Sequence, residues 1–241
     1  VPSKKLKVKS KKSESSLVTH NLSLVRSIDE FKDQTYFIYN IKTEQLPHTL
    51  FPIGGMKKPE VRKMAIKIGL PNANKKESMG LCFVGRIRLT DFLNQKLKPK
   101  KGKIVDQDGR ILGEHGGLHI YTIGQRQGIR VGGSGPYYVF EKDLKTNILF
   151  VTNKANDKRL LTKEVDLHSV NWINSSYKLT AKSYKLSGRY RHQGQLVPLT
   201  IIQTGKDLYR VKFNSPQKAI ASGQSLVLYK GKECVGGGVI V

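Results

Sequence analysis

The chain has 241 residues, of which 38% are hydrophobic, with 43 Lys and Arg against 18 Asp and Glu for a net charge of +25. That length suits one large domain or two smaller ones at roughly 150 residues each, and no apolar run approaches the roughly 18 residues of a membrane span, so no membrane partner is expected. The positive charge exceeds what solubility requires and points to a polyanion as partner, the plain alternative being a lysine-rich bias on solvated faces.

Residues 1–20 open on V-P-S-K-K-L-K-V-K-S-K-K-S-E-S-S, a basic low-complexity stretch with too little apolar surface to offset chain entropy, and read as a linker. It has no apolar centre of the signal-peptide kind. Two cysteines, Cys82 and Cys234, are too few for a disulfide framework, which fits a reducing, cytoplasmic setting, with an organellar (mitochondrial) one as the weaker alternative.

Residues 21–85 read as helical. One helix is expected from Lys32 to Ile41. A second is expected in K-P-E-V-R-K-M-A-I-K-I-G, where Pro59 suits the first helical position, Val61, Met64, Ala65 and Ile68 form one apolar stripe, and Gly69 supplies the stop. A third runs from Leu89 to Leu97, with Leu89, Phe92 and Leu93 inward. From Gly102 the pattern becomes short strands separated by turn residues. Asp108-Gly109 joins Ile104-Val105 to Ile111-Leu112, and a turn at Lys145 and Asn147 joins Tyr137–Glu141 to Ile148–Thr152. Thr204–Asp207 joins Val197–Ile202 to Leu208–Phe213, and the last hairpin turns at Lys230-Gly231-Lys232. The expected fold is α+β: a helical part, 21–85, then two small antiparallel β-barrel-like domains, 86–160 and 161–241, parted near Arg159 to Lys163.

Cys82 lies in E-S-M-G-L-C-F-V-G, an apolar run between Gly80 and Gly85 with Lys75 and Lys76 upstream. It reads either as a small buried hydrophobe or as a thiol activated by nearby cations on a mobile glycine-flanked loop. Cys234, in K-E-C-V-G-G-G-V-I-V, alternates as a terminal strand would and reads as structural. His115 and His119 are four apart, but Gly116 and Gly117 between them argue against a shared helix face, so no metal site is expected. The stretches Gly124–Gly128 and Gly132–Pro136 read as tight turns, and no G-x-x-x-x-G-K-[ST] loop occurs. Arg189, Tyr190, Arg191 and His192 cluster cations around a ring, suited to phosphates and a stacked base, or else to a solvated strand end.

Several strings together resemble one family, the tRNA-specific 2-thiouridylases. They are F-K-D-Q-T-Y-F-I-Y (31–39), L-F-P-I-G-G-M-K-K-P-E-V-R (50–62), S-M-G-L-C-F-V-G (78–85), G-E-H-G-G-L-H-I-Y-T-I-G-Q-R-Q-G-I (113–129), S-G-R-Y-R (187–191) and G-Q-S-L-V-L-Y (223–229). The resemblance implies an enzyme that uses ATP to adenylate the C2 oxygen of the wobble uridine of certain tRNAs and then replaces that oxygen with sulfur. It makes 21–85 the C-terminal helical part of the catalytic domain and Cys82 the catalytic, persulfide-carrying cysteine, resolved in the family by a second cysteine through a disulfide. It assigns tRNA contacts to Lys32, Asp33 and Gln34, and to Arg189 and Tyr190. A sulfur-donor protein, a cysteine desulfurase or relay carrier, is the implied second partner. The family's Ser-Gly-Gly-x-Asp-Ser pyrophosphate loop has no counterpart in these residues, so ATP is not expected to bind this chain and turnover is not expected from it alone. Met79 stands where threonine is common and Glu77 where aspartate is. Residues 1–20 carry no part of the resemblance.

Overall fold

The computed structural model describes residues 22–76, 89–129, 131–132, 136–174 and 183–241, apart from the side chains of residues 89–91. The stretch 1–20 and Cys82 with its string 78–85 lie outside the described residues.

The helical part begins with a short strand, β1 (Leu24–Val25), followed by a 3-10 turn (Glu30–Lys32), α1 (Thr35–Ile38), a second 3-10 turn (Thr43–His48) and α2 (Lys58–Lys67). The single helix expected from Lys32 to Ile41 is thus broken. Asp33 takes an extended conformation, ψ 115°, and its Oδ1 accepts hydrogen bonds from the Thr35 amide at 3.1 Å and the Thr35 hydroxyl at 2.8 Å. That local turn competes with helix continuation and restarts the helix at Thr35.

Around α2 the sequence signals hold at both ends. The Lys58 amide donates to Asp29 Oδ2 at 2.8 Å and the Lys57 amide to Glu60 Oε2 at 2.8 Å, occupying donors that a helix start leaves free. At the far end Gly69, φ +74°, donates to the Ile66 carbonyl and Leu70 to the Ala65 carbonyl, the paired bonds of a left-handed cap. The stripe is another matter. Met64 and Ile68 are 51% and 64% exposed, and α2 buries none of its residues. Its Lys58 and Val61 line a cavity together with residues of the 50–56 loop; the amphipathic pattern identified a helix correctly but not what would cover it. The third helix, α3 (Leu89–Lys96), falls where expected, and its Asn94 Oδ1 lies 2.9 Å from His119 Nε2 on the 3-10 turn Leu118–Ile120.

The middle strands are β2 (Gly102–Val105), β3 (Ile111–His115), β4 (Tyr138–Asp143) and β5 (Ile148–Thr152), in the order β3-β2-β5-β4. The β2–β3 turn is set by Asp106, whose Oδ1 accepts from the amides of Asp108 and Arg110 at 2.9 and 2.8 Å. The expectation that every strand pairs antiparallel is corrected here. Two hairpins meet through a parallel β2–β5 pairing, a pairing that needs a long crossover rather than a turn, and among the described residues no β3–β4 pairing closes the sheet. Ile104, Val139, Leu149 and Val151 form its fully buried core.

The C-terminal strands do close. They are β6 (Leu161–Trp172), β7 (Ser183–Arg189), β8 (Val197–Gln203), β9 (Tyr209–Lys218), β10 (Ser225–Lys230) and β11 (Glu233–Ile240). Their antiparallel order β11-β10-β7-β8-β9-β6 returns on itself through a β11–β6 pairing, while β1 adds to β11 outside the ring. Closure brings β11 against β6 so closely that a Cβ on Gly236, φ +141°, would stand 2.0 Å from the Asn171 carbonyl oxygen. β10 is buried on both faces: Leu226 and Leu228 point into the barrel core, whereas Val227 and Tyr229 point out, into a second cluster with Leu24, Tyr39, Leu46 and Cys234. This second cluster seats the helical part on the outside of the barrel. Among the described residues no helix is long and apolar enough to cross a membrane.

Candidate nucleic-acid interface

Two segments singled out in the sequence for nucleic-acid contact, 32–34 and 189–190, meet where the helical part sits on the barrel. Asp33 and Arg189 are 156 positions apart, yet Arg189 Nη1 donates to Asp33 Oδ2 at 3.2 Å, and both residues are buried. Arg26 Nε reaches the same oxygen at 3.2 Å and also pairs with Glu30 through Nη2. Beneath them lies the Tyr229 ring, 5.9 Å from the Arg26 guanidinium and 5.7 Å from that of Arg189, with its hydroxyl 3.1 Å from Thr35 Oγ1. Burial alone would push the Asp33 carboxyl up; the Thr35 hydroxyl and amide, Arg26 and the Arg189 charge outweigh it and hold the group below the usual carboxylate range. An ionised carboxylate with bonds from both segments makes the cluster a pin between them.

Around that pin the remaining residues face outward to different degrees. Lys32 is half-buried and Gln34 exposed, flanking Asp33 on either side. Tyr190 is half-buried, its ring 6.2 Å from Phe213 of the barrel core and its hydroxyl donating to Gln217 Oε1 at 3.4 Å. It is therefore a ring already packed on protein. Two rings that sequence reasoning passed over are more open: Phe31 and Phe37 are 75% and 58% exposed. Phe37 leans on His192, with centroids 4.6 Å apart, and burial followed by the Arg189 charge holds that imidazole below its usual range, neutral at pH 7. The available signal was F-K-D-Q-T-Y-F itself, aromatics interleaved with polar residues.

Cys82 lies outside the described residues. Cys234 is a free thiol on β11, fully buried against Leu24 and Tyr229, and burial pushes its pKa up to about 12, which matches the structural reading. His115 ends β3 and is buried, with Nε2 3.2 Å from the Asn147 carbonyl and Nδ1 accepting from the Gly117 amide, while His119 sits on the following 3-10 turn. The two share no helix face. Among the described residues no three His, Cys, Asp or Glu side chains come together as a metal-ligand group. Gly124 and Gly128 take φ of +80° and +79°, as tight turns require.

Three family models match the chain: a tRNA methyl transferase HUP domain over residues 8–86, a tRNA methyl transferase PRC-barrel domain over 90–153, and an aminomethyltransferase beta-barrel domain over 162–240. The first begins inside the lysine-rich stretch, earlier than the strings quoted above. The chain is 41% identical over 223 residues to a tRNA-specific 2-thiouridylase MnmA of Pediococcus pentosaceus, covering 90% of this chain and 59% of the relative. It is 44% identical over 223 residues to the protein of that name in Pseudomonas fluorescens, with coverages of 90% and 59%. For that of Tolumonas auensis the figures are 38% over 222 residues, 90% and 60%. The chain thus spans about three-fifths of the length of the curated relatives it matches.

Proposed function

The chain belongs to the tRNA-specific 2-thiouridylase family, and from that membership we propose that it serves 2-thiolation of tRNA, holding the substrate across segments 32–34 and 189–190 while Cys82 carries the sulfur. The observation that carries the tRNA half of this reading is the Asp33–Arg189 pair. It joins the two segments that the family resemblance assigns to tRNA, in a chain with net charge +25. A strongly cationic surface gathers phosphate by counterion release, and a rigid pin between its two parts keeps the spacing that a folded RNA requires.

The sulfur half rests on the match of Cys82 to the family's S-M-G-L-C-F-V-G string. In the proposed chemistry a donor protein, a cysteine desulfurase or relay carrier, leaves a sulfane sulfur on Cys82. The wobble uridine, adenylated at the C2 oxygen by ATP, is attacked at C2 by the terminal sulfur of that persulfide; a C–S bond forms, the C–O bond breaks and AMP departs with the oxygen. Freeing the sulfur from Cys82 takes two electrons from a second thiol, which then closes a disulfide with it. No Ser-Gly-Gly-x-Asp-Ser loop occurs in the 241 residues, and we assign ATP binding to that part of the relatives' length which this chain does not match. The setting that suits a thiol relay is a reducing one, the cytoplasm before an organelle.

The test is to supply the chain with a cysteine desulfurase and sulfur-labelled cysteine. Label should enter as a persulfide on wild type and be absent from Cys82→Ser; full labelling of that variant rejects Cys82 as carrier. tRNA bound with a steep salt dependence, but with no label at Cys82, would leave a noncatalytic RNA-binding module instead.

A further inference from the structure

A cleft of about 410 Å³ opens beside the Asp33–Arg189 pin, between the helical part and the tight turn that follows β7. Its walls include Arg26, Glu30, Phe31, Arg189, Gln193 and Gln195. The turn is closed by the Gly194 amide donating to the Arg191 carbonyl at 3.0 Å, with Gln193 at φ +60°. From it, Gln193 Nε2 donates to the Phe31 carbonyl at 3.0 Å. The backbone of Phe31 is thereby fixed while its ring stays 75% exposed. Among the described residues no other ring is seen against it, whereas Phe37, six positions on, is engaged by His192.

We propose that this cleft takes one unpaired nucleobase of a bound RNA, stacked on the Phe31 ring. The inference rests on the tRNA reading above and adds to it a contact residue and the kind of group it receives. Two features select a base over a phosphate. The cations lining the cleft are already neutralised, Arg26 by Asp33 and Glu30 and Arg189 by Asp33, and the Glu30 carboxylate repels an anion. The polar edges contributed by Gln193 and Gln195 are neutral amides, which both donate and accept, as the edge of a base does. The phosphates on either side of such a base fall on the surrounding cationic surface, which supplies the ionic attraction while the ring supplies a salt-independent one.

The experiment measures binding of tRNA and of a single-stranded oligouridylate to the full chain over a range of salt, for wild type, Phe31→Ala, Phe31→Leu and Phe31→Trp. An exposed ring can be removed without unfolding the chain, and an unchanged melting temperature verifies this. Phe31→Ala and Phe31→Leu should each bind tRNA roughly ten-fold more weakly, within the range base stacking supplies, with the slope of log Kd against log salt unaltered. Phe31→Trp should bind as wild type, and its indole emission should be quenched by the oligouridylate. Wild-type affinity in both truncated variants, or retention of affinity by Phe31→Leu alone, overturns the stacking site and leaves the tRNA reading standing. Failure of the wild-type chain to bind tRNA at low salt overturns that reading and this site with it.

Discussion

Replacing Asp33 by Asn tests how the helical part is held to the barrel. The carboxylate accepts from the Thr35 amide and hydroxyl through Oδ1 and from Arg26 and Arg189 through Oδ2. An asparagine keeps an acceptor for Thr35 but turns its amide hydrogens, or a neutral oxygen, toward two guanidinium groups. Arg26 is 11% exposed at its side chain and has Glu30 as a second partner, so it can turn outward; Arg189, 5% exposed, cannot and becomes the stranded charge. Removing one member of a buried pair costs about 3–5 kcal/mol, and the partial escape of Arg26 sets the expectation near the lower end, about 3 kcal/mol. That corresponds to roughly a hundred-fold rise in the opening equilibrium. The loss should be local, concentrated in the segment that Asp33 anchors, so native-state hydrogen exchange at the amides of 35–41 is the direct assay. Arg189→Met in the Asp33→Asn background should recover part of the loss, a coupling of at least about 1 kcal/mol. The sign of the pH dependence follows from the depressed pKa: the stabilisation is complete above the ordinary carboxylate value near 4 and is lost as pH falls through the lower, folded-state value. The gap between wild type and Asp33→Asn should therefore close below about pH 4. Exchange at 35–41 within 1 kcal/mol of wild type, with no coupling to Arg189, would refute the pin.

Two further outcomes rest on single positions. Cys234, buried and with its thiol pushed up to about 12, should resist iodoacetamide at pH 7.5 and react once the barrel is unfolded in urea, since the thiolate is the nucleophile; peptide mapping that finds alkylated Cys234 in the folded chain contradicts the buried strand. Gly69→Ala meets no atom within 4 Å, so only its φ of +74° resists the substitution. It should destabilise the α2 terminus by about 1 kcal/mol and Gly69→Asn by less, read again by exchange at the end of that helix; equal stability of all three would show that the cap does not hold the helix.

Local chemistry was legible in the residues alone. Gly69 at the end of α2, Asp108-Gly109 between β2 and β3 and Gly231 between β10 and β11 act within a few residues of themselves, through backbone preferences that the rest of the chain does not alter, and each turn is found at its expected place. The family strings had the same independence, because a resemblance needs only order along the chain. Pairing between distant segments was not legible. The parallel β2–β5 contact, the closure of β11 onto β6 and the strand β6 itself depend on which edges meet after the chain has folded, and an alternating pattern carries no record of its partner. The same gap separates the two readings of residues 32–34 and 189–190. The resemblance assigned both to tRNA contact, and only the tertiary structure turned Asp33 and Arg189 inward onto each other, since a carboxylate and a guanidinium 156 positions apart gain their stabilisation only when the helical part is seated on the barrel. The exposure of Phe31 was decided in the same way: a phenylalanine read in sequence is a candidate for the core, and it stands in solvent because the turn after β7 holds its backbone and leaves the ring outside.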